Sequence, residues 1–334
     1  MVQVIYCRGA ALGWSAIDRL AALAGDFFDS PVLTLQPGRA ARLKGAALSL
    51  LPRPRSSEAY LFIAAQPQHL AAVGDLGSIV GRRGHVCAWV IDSFWTERLP
   101  PTIAWSRPVD SFYITDAELV GHYRRATRRP VHWLPWGADV VGMPDASGPR
   151  PVDVLRLGRQ PVQWEDDESI GTLMAARDLA YRGRPPLFED PVRNQAEVVD
   201  AVSGAKFVVA FGNISAPDLY THPRHEYLTG RWTEALAAGA SVVGIPPNCV
   251  ATRELLWPEG LVTLPTTDMR GNLDLVTEAV AGWSPAQAVR NQRLALARLD
   301  WRRRLLRVAR DLGVSPAGAD RARAVLSGRL ASAG

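Results

Sequence analysis

The segment EYLTGRWTEALAAG, Glu226–Gly239, carries more information than any other part of the chain. Two carboxylates, Glu226 and Glu234, stand eight positions apart with Gly230 and Arg231 between them. The run Ala235, Leu236, Ala237, Ala238 consists of strong helix formers. Gly239 suits the left-handed residue just past a helix end. The helix is therefore expected to begin near Arg231 or Trp232. Its first amide groups lack partners and carry partial positive charge, so its tip attracts an anion such as phosphate. Gly230 lets the backbone approach closely, and Arg231 adds a forked cation. A carboxylate in the first turn, Glu234, can accept from two neighbouring hydroxyls, and Glu226 in the preceding loop can do the same for a second ring. The plainer reading of these residues is an amphipathic helix whose Glu234 only complements the dipole.

The helix runs into SVVGIPP, a β-branched strand signal. Similar apolar runs recur at Val2–Tyr6, Val32–Leu35, Tyr60–Ala64, Val86–Ile91, Ser111–Ile114 and Val131–Leu134, with helical patterns such as Ser15–Ala24 and Ala117–Arg125 between them. Further strands are expected in VDVLR and at Phe207–Phe211, Ser241–Ile245 and Leu261–Leu264. Nearly all-apolar strands separated by helices imply an α/β chain with parallel sheets covered on both faces. The alternation pauses in the Pro- and Gly-rich stretch 134–151, which places a domain boundary near 143–151. The expected division is a domain over 1–145, a second over 150–312 and a helical tail over 313–334. Arg302, Arg303, Arg304, Arg307 and Arg310 give the late helical region a basic face, read as solvated.

Glu-x7-Glu followed by Ala-x-Ala-x-Gly and a Val-Val strand resembles the donor-site motif of family 4 type glycosyltransferases. The resemblance extends to Pro135, Gly137 and Asp139 in LPWGAD, similar to the Pro-x-Gly-x-Asp that closes the first domain of those proteins, and to Gly158-Arg159 after VDVLRL. It implies the GT-B fold: two Rossmann-like doubly wound domains with a cleft between them, the first for the acceptor and the second for a nucleoside diphosphate sugar. By the same resemblance Glu234 holds the nucleotide ribose, Glu226 contacts the donor sugar, Arg159 reaches the pyrophosphate, and the sugar is transferred with retention. Where the family places a Lys shortly after that Arg, this chain reads QPVQWEDDES, with no cation until Arg177. Arg231, Arg224 or His225, from the donor-rich loop HPRHEYLTGR, is the expected substitute.

Composition agrees with such a protein. The chain has 334 residues, 47% hydrophobic and 21% charged, enough for two domains. No apolar run approaches the roughly 20 residues that span a bilayer, and MVQVIYCRGAALG reads as a strand start, not a signal peptide. Cys7, Cys87 and Cys249, odd in number and far apart, suggest buried thiols in a reducing cytoplasm. The net charge of +5 comes from Arg, with Lys only at 44 and 206. It is too diffuse for a nucleic-acid partner and fits an anionic ligand or peripheral membrane contact, for example through Arg39–Lys44 or the late Arg-rich helix.

Other positions carry weaker signals. Gly9 and Gly13 follow the first strand in CRGAALG, where a glycine loop lets amides approach an anion. The spacing is not GxGxxG, so no dinucleotide cofactor is expected, and no Walker A sequence occurs. Asp92 follows VCAWVI at a strand end, where doubly wound folds place working residues; the position resembles the His-Asp that many of those transferases carry, with Ile91 in the His place, which implies a catalytic role for Asp92 at the acceptor side. A helix cap is the plainer use of such an Asp. Asp116 reads as an N-cap, and His69, His85 and His132 as structural. His222, His225 and Glu226 lack a fourth ligand, and Pro223 breaks helical spacing, so no metal is expected. Trp95, beside Asp92, is a candidate sugar-stacking face. The alternatives to a transferase are a sugar-nucleotide-binding protein without transferase activity and a sugar-nucleotide epimerase on the same fold. The partners expected are a nucleotide-sugar donor and a saccharide, natural-product or lipid acceptor.

Overall fold

The computed structural model describes residues 1–9, 12–35, 55–78, 83–106 and 109–332. The basic segment 39–44 lies outside them. The chain divides into two compact units, Met1–Pro135 with Arg302–Ala324, and Trp136–Trp301 with Val325–Gly334.

The first unit is built on a parallel sheet of six strands in the order β2-β1-β3-β4-β5-β6. The strands are β1 (Val2–Cys7), β2 (Leu33–Leu35), β3 (Arg55–Ala64), β4 (Arg83–Val90), β5 (Ser111–Ile114) and β6 (Val131–Trp133). Leu61, Phe62, Ile63, Cys87, Ala88, Trp89 and Val90 are all fully buried, the burial on both faces that parallel strands require. Helix α1 (Ser15–Phe28) covers the sheet through Ile17, Leu20, Ala21 and Phe27, and ends at Asp29 in the left-handed conformation, φ 50°. Two shorter helices, α2 (Ile103–Ser106) and α3 (Val120–Thr127), complete the run before β6.

The second unit has a parallel sheet of five strands in the order β11-β10-β9-β7-β8. These are β7 (Val152–Arg156), β8 (Tyr181–Arg182), β9 (Ala205–Phe211), β10 (Ser241–Ile245) and β11 (Leu261–Thr263). Between and after them come α4 (Asp167–Ala175), α5 (Pro191–Ser203), α6 (Gly230–Ala237), α7 (Val250–Leu255), α8 (Met269–Ala281) and α9 (Pro285–Arg298). Val154, Phe207, Val209, Phe211 and Val243 meet Trp164, Met174, Leu273 and Val276 in one core. The segment after Pro135 is sewn to the end of α9. The Ala138 amide donates to the Leu299 carbonyl at 3.0 Å, and the Trp301 amide donates to the Ala138 carbonyl at 2.9 Å. A Cβ on Gly137 would lie 2.3 Å from that same Leu299 carbonyl, so only glycine fits there.

Residues 143–151, read from their Pro and Gly content as a linker, lie inside the second unit. Met143 and Ala146 are buried, and buried Arg150 donates to the carbonyls of Ala205 and Ala238. The last helices also differ from the expected tail. In α10 (Trp301–Asp311), Arg307 and Arg310 are exposed, but Arg304 is buried with its Nε 3.4 Å from the Pro135 carbonyl, so the basic face is only partly solvated. In α11 (Ala317–Ser332), Gly318 packs on the backbone of Phe27, and Arg321 pairs with Asp29 at 2.7 Å. No helix among the described residues is long and apolar enough to cross a membrane.

Candidate functional site

Helix α6 opens at Gly230, one residue earlier than the sequence suggests, because Thr229 takes the extended N-cap conformation (φ −123°, ψ 168°). Glu234 is therefore the fifth helical residue, on the second turn and not the first. The C-terminus closes as expected. Gly239 has φ +88°, its amide donates to the Leu236 carbonyl, and the Ala240 amide donates to Ala235, which is the paired Schellman arrangement. Thr233 Oγ1 donates to the Gly137 carbonyl at 2.8 Å, fixing the helix to the segment after Pro135.

At the carboxyl end of β7 the chain turns at Gly158, φ +70°. A Cβ there would stand 3.0 Å from Cδ of Arg231. The Arg231 guanidinium donates to the carbonyls of Arg159 at 2.5 Å and Phe211 at 3.2 Å, tying together the loops that leave the adjacent strands β7 and β9. Burial, followed by the nearby Arg159 charge, lowers its pKa to about 10. Arg231, expected as a ligand-binding cation, thus spends donors on backbone. Arg159 does not. Its Nε and Nη2 are buried and have no hydrogen-bond partner, and its Cζ lies 5.5 Å from the ring centre of exposed Tyr220. Gln160 Oε1, Asn213 Oδ1 and Thr229 Oγ1 are likewise buried without partners. Native interiors satisfy nearly all such groups, so this concentration of them in the loops after β7 and β9 and at the start of α6 points to a polar ligand.

Glu234 is buried at 8% exposure, and its carboxyl is pushed up to about 7 by that burial, partly offset by a hydrogen bond from Gln195. Gln195, on α5, donates from Nε2 to Glu234 Oε1 at 2.8 Å. Nothing in the sequence marks this glutamine: a lone Gln in an amphipathic helix has no signature. Glu226 is half-buried and accepts from the Asn248 amide, after β10, at 3.1 Å. The ring of His225 lies 4.4 Å from that of His222, whose Nδ1 accepts the amides of Arg224 and His225, so this loop is organised by its own histidine. Among the described residues no group of three or more His, Cys, Asp or Glu is arranged to hold a metal.

In the first unit the carboxyl ends of β3, β4 and β5 gather a second polar cluster. Half-buried Asp92, just past β4, lies 3.5 Å from Gln66 Nε2. Burial raises its carboxyl to about 8. Asp116, past β5, occupies the N-cap position of a short 3-10 turn but makes no cap bond. Its carboxylate instead accepts from Ser93 Oγ at 2.5 Å, and its value is pushed to about 7 by burial. Arg98 lies over the Trp95 ring at 3.5 Å, so that aromatic face is taken by a cation. Gly9 is buried, and a Cβ on it would strike the Trp14 indole at 2.1 Å; its bareness accommodates that ring.

No protein-family model and no curated protein matches this chain. Among solved structures it is similar to a glycosyltransferase from Rickettsia africae ESF-5, with 6% identity and a TM-score of 0.55, over 93% of this chain and 97% of that one. TarM aligns with 9% identity and a TM-score of 0.49, over 82% of this chain and 58% of that one. An S. aureus MnaA–UDP co-structure aligns with 9% identity and a TM-score of 0.47, over 94% and 98%. The fold is α/β of the GT-B type, two Rossmann-like parallel sheets with flanking helices.

Proposed function

We propose that this chain is a glycosyltransferase that moves a sugar from a nucleoside diphosphate sugar to an acceptor hydroxyl on a saccharide, natural product or lipid. The observation that carries this reading is Arg159, a cation whose buried Nε and Nη2 have no partner in the protein. A guanidinium in that state calls for a bidentate anion, and a diphosphate supplies one. Gly230 and the first amides of α6 add partial positive charge, and Arg231, locked across two loops, adds a fixed one. Together they take up the charge that develops on the departing diphosphate, so the reading requires no metal ion and no cofactor. Glu234 accepts from the ribose, while Glu226 and His225 face the transferred sugar. In the first unit Asp92, with its raised value, assists at the acceptor hydroxyl. Retention of anomeric configuration follows from the resemblance to family 4.

Calorimetry with UDP-, GDP- and dTDP-sugars, followed by a donor hydrolysis assay with and without EDTA, tests this. Binding of one sugar nucleotide, turnover unaffected by the chelator, and a weakening of both in Arg159→Ala are expected. Binding without hydrolysis or transfer would leave a sugar-nucleotide-binding protein instead, and no binding would overturn the reading.

A further inference from the structure

Gln195 presents an unusual pair of atoms. A carboxylate only accepts hydrogen bonds, so the amide must turn its nitrogen to Glu234. That leaves Gln195 Oε1 buried and without a partner. Glu234 Oε1 is taken by the amide at 2.8 Å. Its Oε2 stands over Gly230, 3.3 Å from where a Cβ would be, and any side chain there would crowd it. Two adjacent side chains therefore offer one acceptor each, in a place where the protein supplies no donor to Gln195 Oε1. A vicinal diol donates two hydrogen bonds and matches that arrangement.

We infer that Gln195 and Glu234 together read the two ribose hydroxyls of the donor, one hydroxyl to each residue, so that the site selects ribonucleoside diphosphates over their deoxy counterparts. This rests on the reading of Glu234 as the ribose-holding carboxylate. Gln195 has a double part: it orients the carboxyl by its nitrogen and contacts the sugar by its oxygen. A purely structural glutamine, present only to satisfy Glu234, would give no preference tied to a single hydroxyl.

The test is calorimetry on the full chain with UDP and GDP and with the 2′-deoxy and 3′-deoxy form of each. The wild-type chain should bind the ribonucleotide at least about tenfold more tightly than either deoxy form, since each missing hydroxyl leaves a buried acceptor unpaired. In Gln195→Leu the preference should collapse for one deoxy form, the one lacking the hydroxyl that Gln195 accepts, and persist for the other. Both preferences unchanged in Gln195→Leu would overturn the inference and leave the proposed function standing; equal binding of ribo and deoxy forms by the wild type would overturn it together with the ribose role of Glu234. Binding of no nucleoside diphosphate would overturn the inference and the proposed function. Where Gln195→Leu does not fold, Gln195→Met, which keeps the side-chain length and removes the acceptor, gives the same readout.

Discussion

The side chain of Arg231 lies against the bare α-carbon of Gly158, its Cδ 3.0 Å from the position a Cβ would take. The φ of +70° favours glycine there, and a Cβ would make Arg231 give way by a few tenths of an ångström. Gly158→Ala should cost about 1–2 kcal/mol from the left-handed backbone alone. It should also push Arg231 off the carbonyls of Arg159 and Phe211, weakening donor binding. A drop in melting temperature of about 2–4 °C per kcal/mol, with a higher donor Kd, would be the result. An unchanged Kd would separate Arg231 from the site.

Arg159 behaves oppositely. Its buried Nε and Nη2 contribute nothing to the fold by hydrogen bonding. Arg159→Ala should leave the unfolding free energy within about 0.5 kcal/mol of wild type while reducing donor affinity roughly tenfold to a hundredfold, the worth of charge-assisted hydrogen bonds. Arg159→Lys should rescue only part, because an ammonium cannot form the fork. Thermal melts and calorimetry on the same samples check both halves.

Glu234 makes stability and binding move in opposite directions with pH. Its folded value, near 7, is above the ordinary 4.5, so the folded chain holds this proton more tightly than the unfolded one. The group's contribution to stability is present below about 4.5 and is lost as pH rises through about 7. Donor affinity should rise over the same interval, because the ionised carboxylate accepts hydroxyls better. Melting curves and Kd between about pH 5 and pH 8, with Glu234→Gln flattening both trends, test this.

Asp92 is also raised, to about 8 by burial, and its charged form is costly in the same sense. Asp92→Asn should be more stable than wild type once pH exceeds that value, and should lower transfer by about 10²–10⁴-fold if the carboxylate assists at the acceptor. Transfer at the wild-type rate would remove Asp92 from the chemistry.

Much of this arrangement is legible in the sequence where a local rule governs it. Ser111–Ile114 and Ser241–Ile245 are strands with the expected bounds, because short aromatic or β-branched runs between turn residues have few other uses. Gly239 takes the left-handed conformation expected just past a helix end. What escapes depends on long-range packing. Tyr181–Arg182 is a two-residue strand with no apolar run to announce it. Arg304 sits in a basic cluster yet is buried, because whether an arginine faces water depends on the Pro135 carbonyl far away in the chain. Asp116 has the look of a cap, but Ser93, 23 residues earlier, offers its carboxylate a better partner. Gln195 becomes meaningful only once folding brings α5 beside α6.

The seam between Ala138 and Leu299–Trp301 has a mechanical consequence. The bridge between Ala138 and Asp300 runs parallel, and the indoles of Trp136 and Trp301 sit 6.0 Å apart beside it. Tension applied to the polypeptide at Pro135 and Arg302 reaches opposite ends of these two short segments and loads their hydrogen bonds in shear. Thr233 Oγ1 also holds the Gly137 carbonyl at 2.8 Å, so part of that load passes straight into α6, the helix that carries Arg231.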